Sequence, residues 1–180
     1  MTEIRLLKSN EIECRVGSIS DTGKKGPWLS LLLYKDARCD MKILDETFGI
    51  LGWQREHQIV NGMLCCTISI YDESCLTWVK KQDVGTESYT EKEKGIFSDS
   101  FKRANVNIGI GRELYTAPFI FINLEDGEIE HKNNKVQLSR RVKFRVAKID
   151  YNEDREIEKM IIKDNKGVTR YRIGYPQGEQ

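Results

Sequence analysis

"GIFSDSFKRANVNIGIGRELY", residues 95–115, carries an apolar stripe with two cations beside it. Phe97, Phe101, Ala104 and Ile108 recur at the spacing of one helix face. Gly109 is suited to end that helix. Upstream, Ser88 or Thr90 stands where a cap is needed, and Glu91 and Glu93 fall where negative charge meets the positive end of the helix dipole. The pattern predicts a helix over residues 89–109 that docks on an apolar surface, with Lys102 and Arg103 off the docking stripe.

The preceding residues supply a flat partner for it. "WQREHQIV" (53–60), "GMLCCTISIYD" (62–72) and "CLTWVKKQDVG" (75–85) read as three strands. Asn61-Gly62 is a strong hairpin signal between the first two, and "DESC" (72–75) is a turn before the third. Earlier still, Met41, Leu44 and Phe48 are helically spaced with Gly49 as a stop, so a helix is expected from Ala37 to Phe48. An apolar strand or helix end, Leu29–Tyr34, leads into it. Residues 11–19 form a short strand-like run, and 20–27 a turn-rich loop.

Downstream, "APFIFINL" (117–124) is a strand, and "EDGEIEHKNN" (125–134) reads as a polar, mobile loop. Residues 142–175 read as three strands turning at Asn152–Asp154 and Asn165–Gly167. The expected fold class is α+β: an antiparallel β-meander packed against a long helix, with a small C-terminal β-meander. The expected organisation is a core over 1–125, followed by the polar loop and C-terminal meander over 126–180.

The chain has 180 residues, enough to bury a core without disulfides, and a net charge of +1, which argues against a generally basic coat protein. A local basic stripe is compatible with that sum. The five cysteines are odd in number and lack a C-x-x-C, so reduced thiols are expected. The first residues lack the apolar core of a signal peptide, and "WLSLLLY" (28–34) is too short to span a bilayer. A soluble, cytoplasmic protein is expected.

Sites with local signatures are scarce. His57 and His131 have no partner at metal-ligand spacing, so no metal is expected. A Cys-His pair assembled from distant residues stays open, with nothing local to activate a thiol. "GIGRE" (109–113) follows a helix instead of preceding one, so it reads as a helix stop and not a phosphate cradle. The acidic residues Asp36, Asp40, Asp45 and Glu46 are scattered over one helix. Asp99 and Arg103 lie four apart, as in a surface ion pair. What remains is a basic set with aromatics between: Lys35 and Arg38 beside Tyr34, Lys80 and Lys81 after Trp78, Lys102 and Arg103 on the second helix, and Arg112 after it. Solvated surface charge is the default for each. Together they suit a groove that follows phosphates and offers aromatic faces to bases.

Three stretches carry a resemblance: "LLLYKDARCDMKILDETFGILGWQREH" (31–57), "DVGTES" (83–88) and "EKEKGIFSDSFKRANVNIGIGRELY" (91–115). Their order resembles the Rad-fifty-two superfamily of single-strand annealing proteins, most closely its phage and prophage Sak-like branch. The likeness covers about half the chain strongly. It implies protomers assembled in a ring or helical arc, with single-stranded DNA in an outer basic groove, backbone inward. It further implies annealing without ATP, cofactor or hydrolytic site, as in phage-type DNA recombination and repair inside a bacterial host. A single-strand-binding protein or an exonuclease is the kind of further partner it suggests. Lys102 and Arg103 match the Lys-Arg of the family's signature helix, Tyr34 an aromatic near the groove, and Lys35 or Arg38 a basic position there. The eukaryotic pattern has a further arginine where this chain has Val106. Arg112, Lys80 and Lys81 join the site by inference alone. The rival expectation is an RNA-binding or adaptor module of double-stranded-RNA-type α+β fold.

Overall fold

Eleven strands and two α-helices account for most of the described chain. The computed structural model describes residues 3–23, 26–86, 92–133, 135–176 and 178. The elements run β1 (Ile12–Ser20), β2 (Trp28–Lys35), α1 (Ala37–Phe48), β3 (Trp53–Val60), β4 (Met63–Asp72), β5 (Thr77–Val84) and α2 (Lys92–Ile108). Then follow a 3₁₀ turn (Arg112–Thr116), β6 (Ile120–Asn123), β7 (Ile129–Lys132), β8 (Lys135–Leu138), β9 (Phe144–Tyr151), β10 (Ile157–Asp164) and β11 (Thr169–Ile173). The strand pairs with a described register are antiparallel, so the chain is α+β, as its sequence implies. The capping positions Ser88, Thr90 and Glu91 lie outside the described residues.

The chain divides into two units that interleave, where the sequence was divided at 125/126. Unit 1 comprises Met1–Leu7 and Lys35–Arg112; unit 2 comprises Lys8–Tyr34 and Glu113–Gln180.

Unit 1 holds α1, the meander β3-β4-β5 and α2. α1 starts where Asp36 accepts a hydrogen bond from the Arg38 N–H at 2.7 Å, and it ends at Gly49 with φ 76°. Asn61 and Gly62 both have positive φ, the geometry of a tight hairpin turn between β3 and β4. Asp72 accepts from the Ser74 N–H (2.9 Å) and hydroxyl (2.6 Å), which fixes the turn into β5.

Cross-strand partners share a face. Trp53, Arg55 and His57 therefore share one with Ile68 and Cys66 of β4 and with Val79, Lys81 and Asp83 of β5. Helix α2 packs on β4 and β5. Phe101 lies 6.2 Å from the Trp53 ring and under the Arg55 guanidinium, and it is 1% exposed. Burial of one such side chain is worth about 1.5–3 kcal/mol.

The docking stripe of α2 differs from the expected one. Ser100, Phe101, Ala104 and Asn105 are buried, whereas Phe97 is half exposed beside His57. Ser100 and Asn105 are tolerated inside because Ser100 Oγ donates to the Phe97 carbonyl and Asn105 Nδ2 to the Phe101 carbonyl.

Unit 2 carries a six-stranded sheet in the order β11-β10-β9-β1-β2-β6. The C-terminal meander β9-β10-β11 is thus half of a larger sheet completed by strands from earlier in the chain. Its turns sit where the sequence placed them, with Asp164 accepting from the N–H groups of Lys166 and Val168, both at 2.9 Å. The outermost strands β6 and β11 approach each other, so the sheet curls on itself. Arg170 of β11 closes that approach: it donates to the Asn123 carbonyl of β6 at 2.9 Å and bidentately to Glu128 at 2.7 Å, and meets Asp164 at 3.2 Å. Leu29, Leu31, Ile120 and Ile122 fill the buried face of β2 and β6.

The segment 125–134 corrects the expected mobile loop. β7 occupies its second half and pairs with β8, just beyond it, in a two-stranded ribbon, with Ile129 opposite Leu138 and His131 opposite Val136. A ribbon with one solvated face needs few apolar residues, so its composition looks like that of a loop.

Candidate nucleic-acid interface

The motif residues of unit 1 first serve one another. Gly85 sits where any Cβ would strike the Ile96 carbonyl oxygen, so glycine permits the close approach of α2. Asp99 accepts from the Thr86 N–H and hydroxyl, both at 2.9 Å, rather than pairing with Arg103. Arg103 meets Asp83 of β5 at 3.4 Å instead. Asn107 donates to the Gln82 carbonyl (3.2 Å) and to Asp83 (3.1 Å). The segments "DVGT" (83–86) and 98–107 are thus two halves of one joint.

The expected DNA-binding residues separate into distinct environments. Lys35 is 5% exposed and ion-paired with the fully buried Asp40, which removes it from the surface set. The driving fact is local: Lys35 ends β2 just before the α1 cap, and Asp40 lies one turn into α1. Arg112 is exposed, but its guanidinium donates to the Val106 (3.0 Å) and Asn107 (3.3 Å) carbonyls at the end of α2, the favoured place for a cation. Lys80 and Lys81 are exposed on β5 and, as strand neighbours, point to opposite faces. Arg38 is exposed in the first turn of α1. Tyr34, in unit 2, is 37% exposed with the Arg15 guanidinium 4.7 Å over its ring.

Lys102 stands apart. It is half-buried on α2, and its ammonium makes no hydrogen bond or ion pair among the described residues. Every other polar side chain from Ser98 to Asn107 has a partner. The structure therefore gathers Lys35, Asp40 and Lys102 at one place and Arg103 with Asp83 at another.

Burial dominates the electrostatics of the first cluster. Loss of hydration pushes Asp40 up to about 6, against the opposing pull of Lys35 and Lys102, and it draws Lys35 below its ordinary range. Asp40 Oδ2 is buried without a hydrogen-bond partner. The sequence showed Asp40 only as one scattered acid among several; no periodicity pairs it with a lysine on the preceding strand. Asp83 was likewise unremarked as the partner of Arg103.

Other chemistry is poorly served. His57 and Cys66 are cross-strand partners, yet Cys66 is fully buried and burial pushes its thiol up to about 11, away from a reactive thiolate. None of the five cysteines is in a disulfide. No group of three or more metal-ligating side chains occurs among the described residues. Among those residues, too, no helix is long and apolar enough to cross a membrane. No protein-family model, no curated protein and no solved structure matches the chain.

Proposed function

We propose that this protein binds single-stranded DNA and anneals complementary strands without ATP, as a homo-oligomeric ring or helical arc of the Rad-fifty-two, Sak-like type. The observation that carries the reading is Lys102, which alone among the described polar side chains from Ser98 to Asn107 has no hydrogen-bond or ion-pair partner. A cation held on a rigid element without a hydrogen-bond or ion-pair partner is suited to a phosphate. Arg103, with 41% of its side chain exposed, lies next to it and can exchange Asp83 for a phosphate. Exposed Lys80, Lys81 and Arg38 add positive charge on the same unit. In this mechanism base pairing supplies the energy, so hydrolysis is not required. The setting is phage-type recombination in the host cytoplasm, alongside a single-strand-binding protein or an exonuclease.

The test is annealing of two labelled complementary oligonucleotides without ATP, with particle size measured in parallel. Acceleration by large particles supports the reading. Each phosphate contact contributes about −0.7 to the slope of log K against log salt, or about fivefold in affinity at 0.1 M salt. Lys102→Ala/Arg103→Ala is expected to lower the slope by about 1.4 and affinity by about 25-fold per protomer engaged, equally across sequences. Unchanged affinity removes these residues from the site. Preference for an A-form RNA duplex over single-stranded DNA would transfer the reading to a double-stranded-RNA module.

A further inference from the structure

Lys35 and Asp40 are distant from solvent, yet both converge on the residue that carries the proposed function. Lys35 Nζ is ion-paired with Asp40 Oδ1 and also donates to the main-chain carbonyl of Lys102 at 3.3 Å. Lys35 is 5% exposed and Asp40 is fully buried. The charged or titratable groups facing the pair are Lys102 from α2, and Asp36 and Cys39 from the start of α1. Gly111, with φ 74°, leaves the room that the Lys35 stem occupies; a Cβ there would collide with Lys35 Cδ and Cε. The chain after α2 is thus shaped around this lysine.

Stability alone explains the pair poorly. A buried ion pair loses hydration that its mutual attraction barely repays, and apolar replacement of both partners is often neutral. Here the pair also leaves Asp40 Oδ2 without a partner. What the arrangement does provide is a fixed point: the end of β2, the first turn of α1 and the middle of α2 meet at one ammonium group.

We propose that Lys35 and Asp40 are positioning residues for Lys102, forming a buried clasp that sets the position of α2 and so the direction in which the Lys102 ammonium meets a phosphate of single-stranded DNA. The inference rests on the annealing reading above. Within it, Lys35 moves from a DNA contact, as its sequence position suggested, to a support behind one.

The test compares Lys35→Met/Asp40→Asn, Lys102→Ala and their combination, using a short labelled oligothymidylate titrated over a range of salt. Thermal melting is followed in parallel. The clasp variant is expected to melt near the wild-type temperature but to lose about fivefold in affinity and about 0.7 in salt slope, as Lys102→Ala does. Adding Lys102→Ala to it should change nothing further, because both act through one ammonium group. Wild-type affinity and slope in the clasp variant, with Lys102→Ala still impaired, would overturn the clasp and leave the annealing reading standing. Independent, multiplying losses would overturn it too. Absence of any salt-dependent binding by the wild type would remove the annealing reading itself, and the clasp with it. If the double variant fails to fold, Asp40→Asn alone enters the same cycle, and independence from Lys102→Ala again refutes the proposal.

Discussion

Asp40→Asn should change how stability depends on pH, by an amount the burial of this carboxyl sets. In the folded protein burial raises Asp40 from its ordinary 3.8 to about 6. Between those values the folded state holds the proton more tightly than the unfolded chain. Its contribution to stability is therefore full below pH 4 and is lost as pH rises through about 6. At 1.36 kcal/mol per pH unit the loss is about 3 kcal/mol. Asparagine has no such titration. The stability of the wild type minus that of Asp40→Asn should therefore fall by about 3 kcal/mol from pH 4 to pH 7. Lys35, deprived of its counter-ion in the variant, is lowered further; a lowered lysine gains stability with rising pH, so its titration would add to the same trend. Urea unfolding at pH 4, 5, 6 and 7 reads the difference directly, with the slope m confirming that both proteins unfold the same surface. A difference that is flat across this range, or that grows with pH, would refute the argument that desolvation outweighs Lys35 and Lys102 at Asp40.

Arg170→Met should destabilise unit 2 by about 3–5 kcal/mol in denaturant unfolding, because Glu128 and Asp164 would remain buried without their shared counter-ion; a loss under 1 kcal/mol would show that water replaces it. Gly111→Ala should cost more than about 1–2 kcal/mol, since φ is 74° there and the new Cβ meets the Lys35 stem, and circular dichroism melts of the two proteins would measure it. Asp83→Asn should raise single-stranded DNA affinity by at most about fivefold, because it releases Arg103 from a half-exposed pair worth no more than about 1 kcal/mol; an unchanged titration would mean that Arg103 meets no phosphate.

Periodic surfaces were legible in the sequence, and pairings across elements were not. The helix Ala37–Phe48 and the strand Trp53–Val60 were expected with their observed limits, because Asp36, Gly49 and Asn61-Gly62 are local stops whose chemistry acts on neighbouring residues. The α2 stripe was misplaced because spacing alone weighs Phe97 and Phe101 equally. Only the sheet decides that Ser100 and Asn105 face inward, with hydrogen bonds to their own helix. Lysine is almost never fully buried unless paired, so Lys35 read as surface charge until Asp40 was seen beside it. The curled sheet of unit 2 was unreadable for a topological reason: β1 pairs with β9 across more than a hundred residues, and no local pattern announces such a partner.

The described cations around α2 separate into those that hold the fold and those with no structural partner. Arg112 completes the helix end, Lys35 is enclosed with Asp40, and Arg103 is shared with Asp83. A groove built from all eight expected residues would count the first two twice, once as structure and once as binding site. Removing Arg112, or Lys35 alone with Asp40 left buried and unpaired, would weaken DNA binding through the fold, with altered melting as the companion sign. Loss at Lys102 should leave melting unchanged, since no described partner depends on its ammonium. A protomer that offers Lys102 as its uncommitted cation among the described residues 98–107 of α2 gains little from one phosphate contact. High affinity then requires many protomers on one strand, each adding its small term at high effective concentration. That arithmetic makes assembly a condition of the proposed activity, and it predicts that binding and particle size rise together as protein is added.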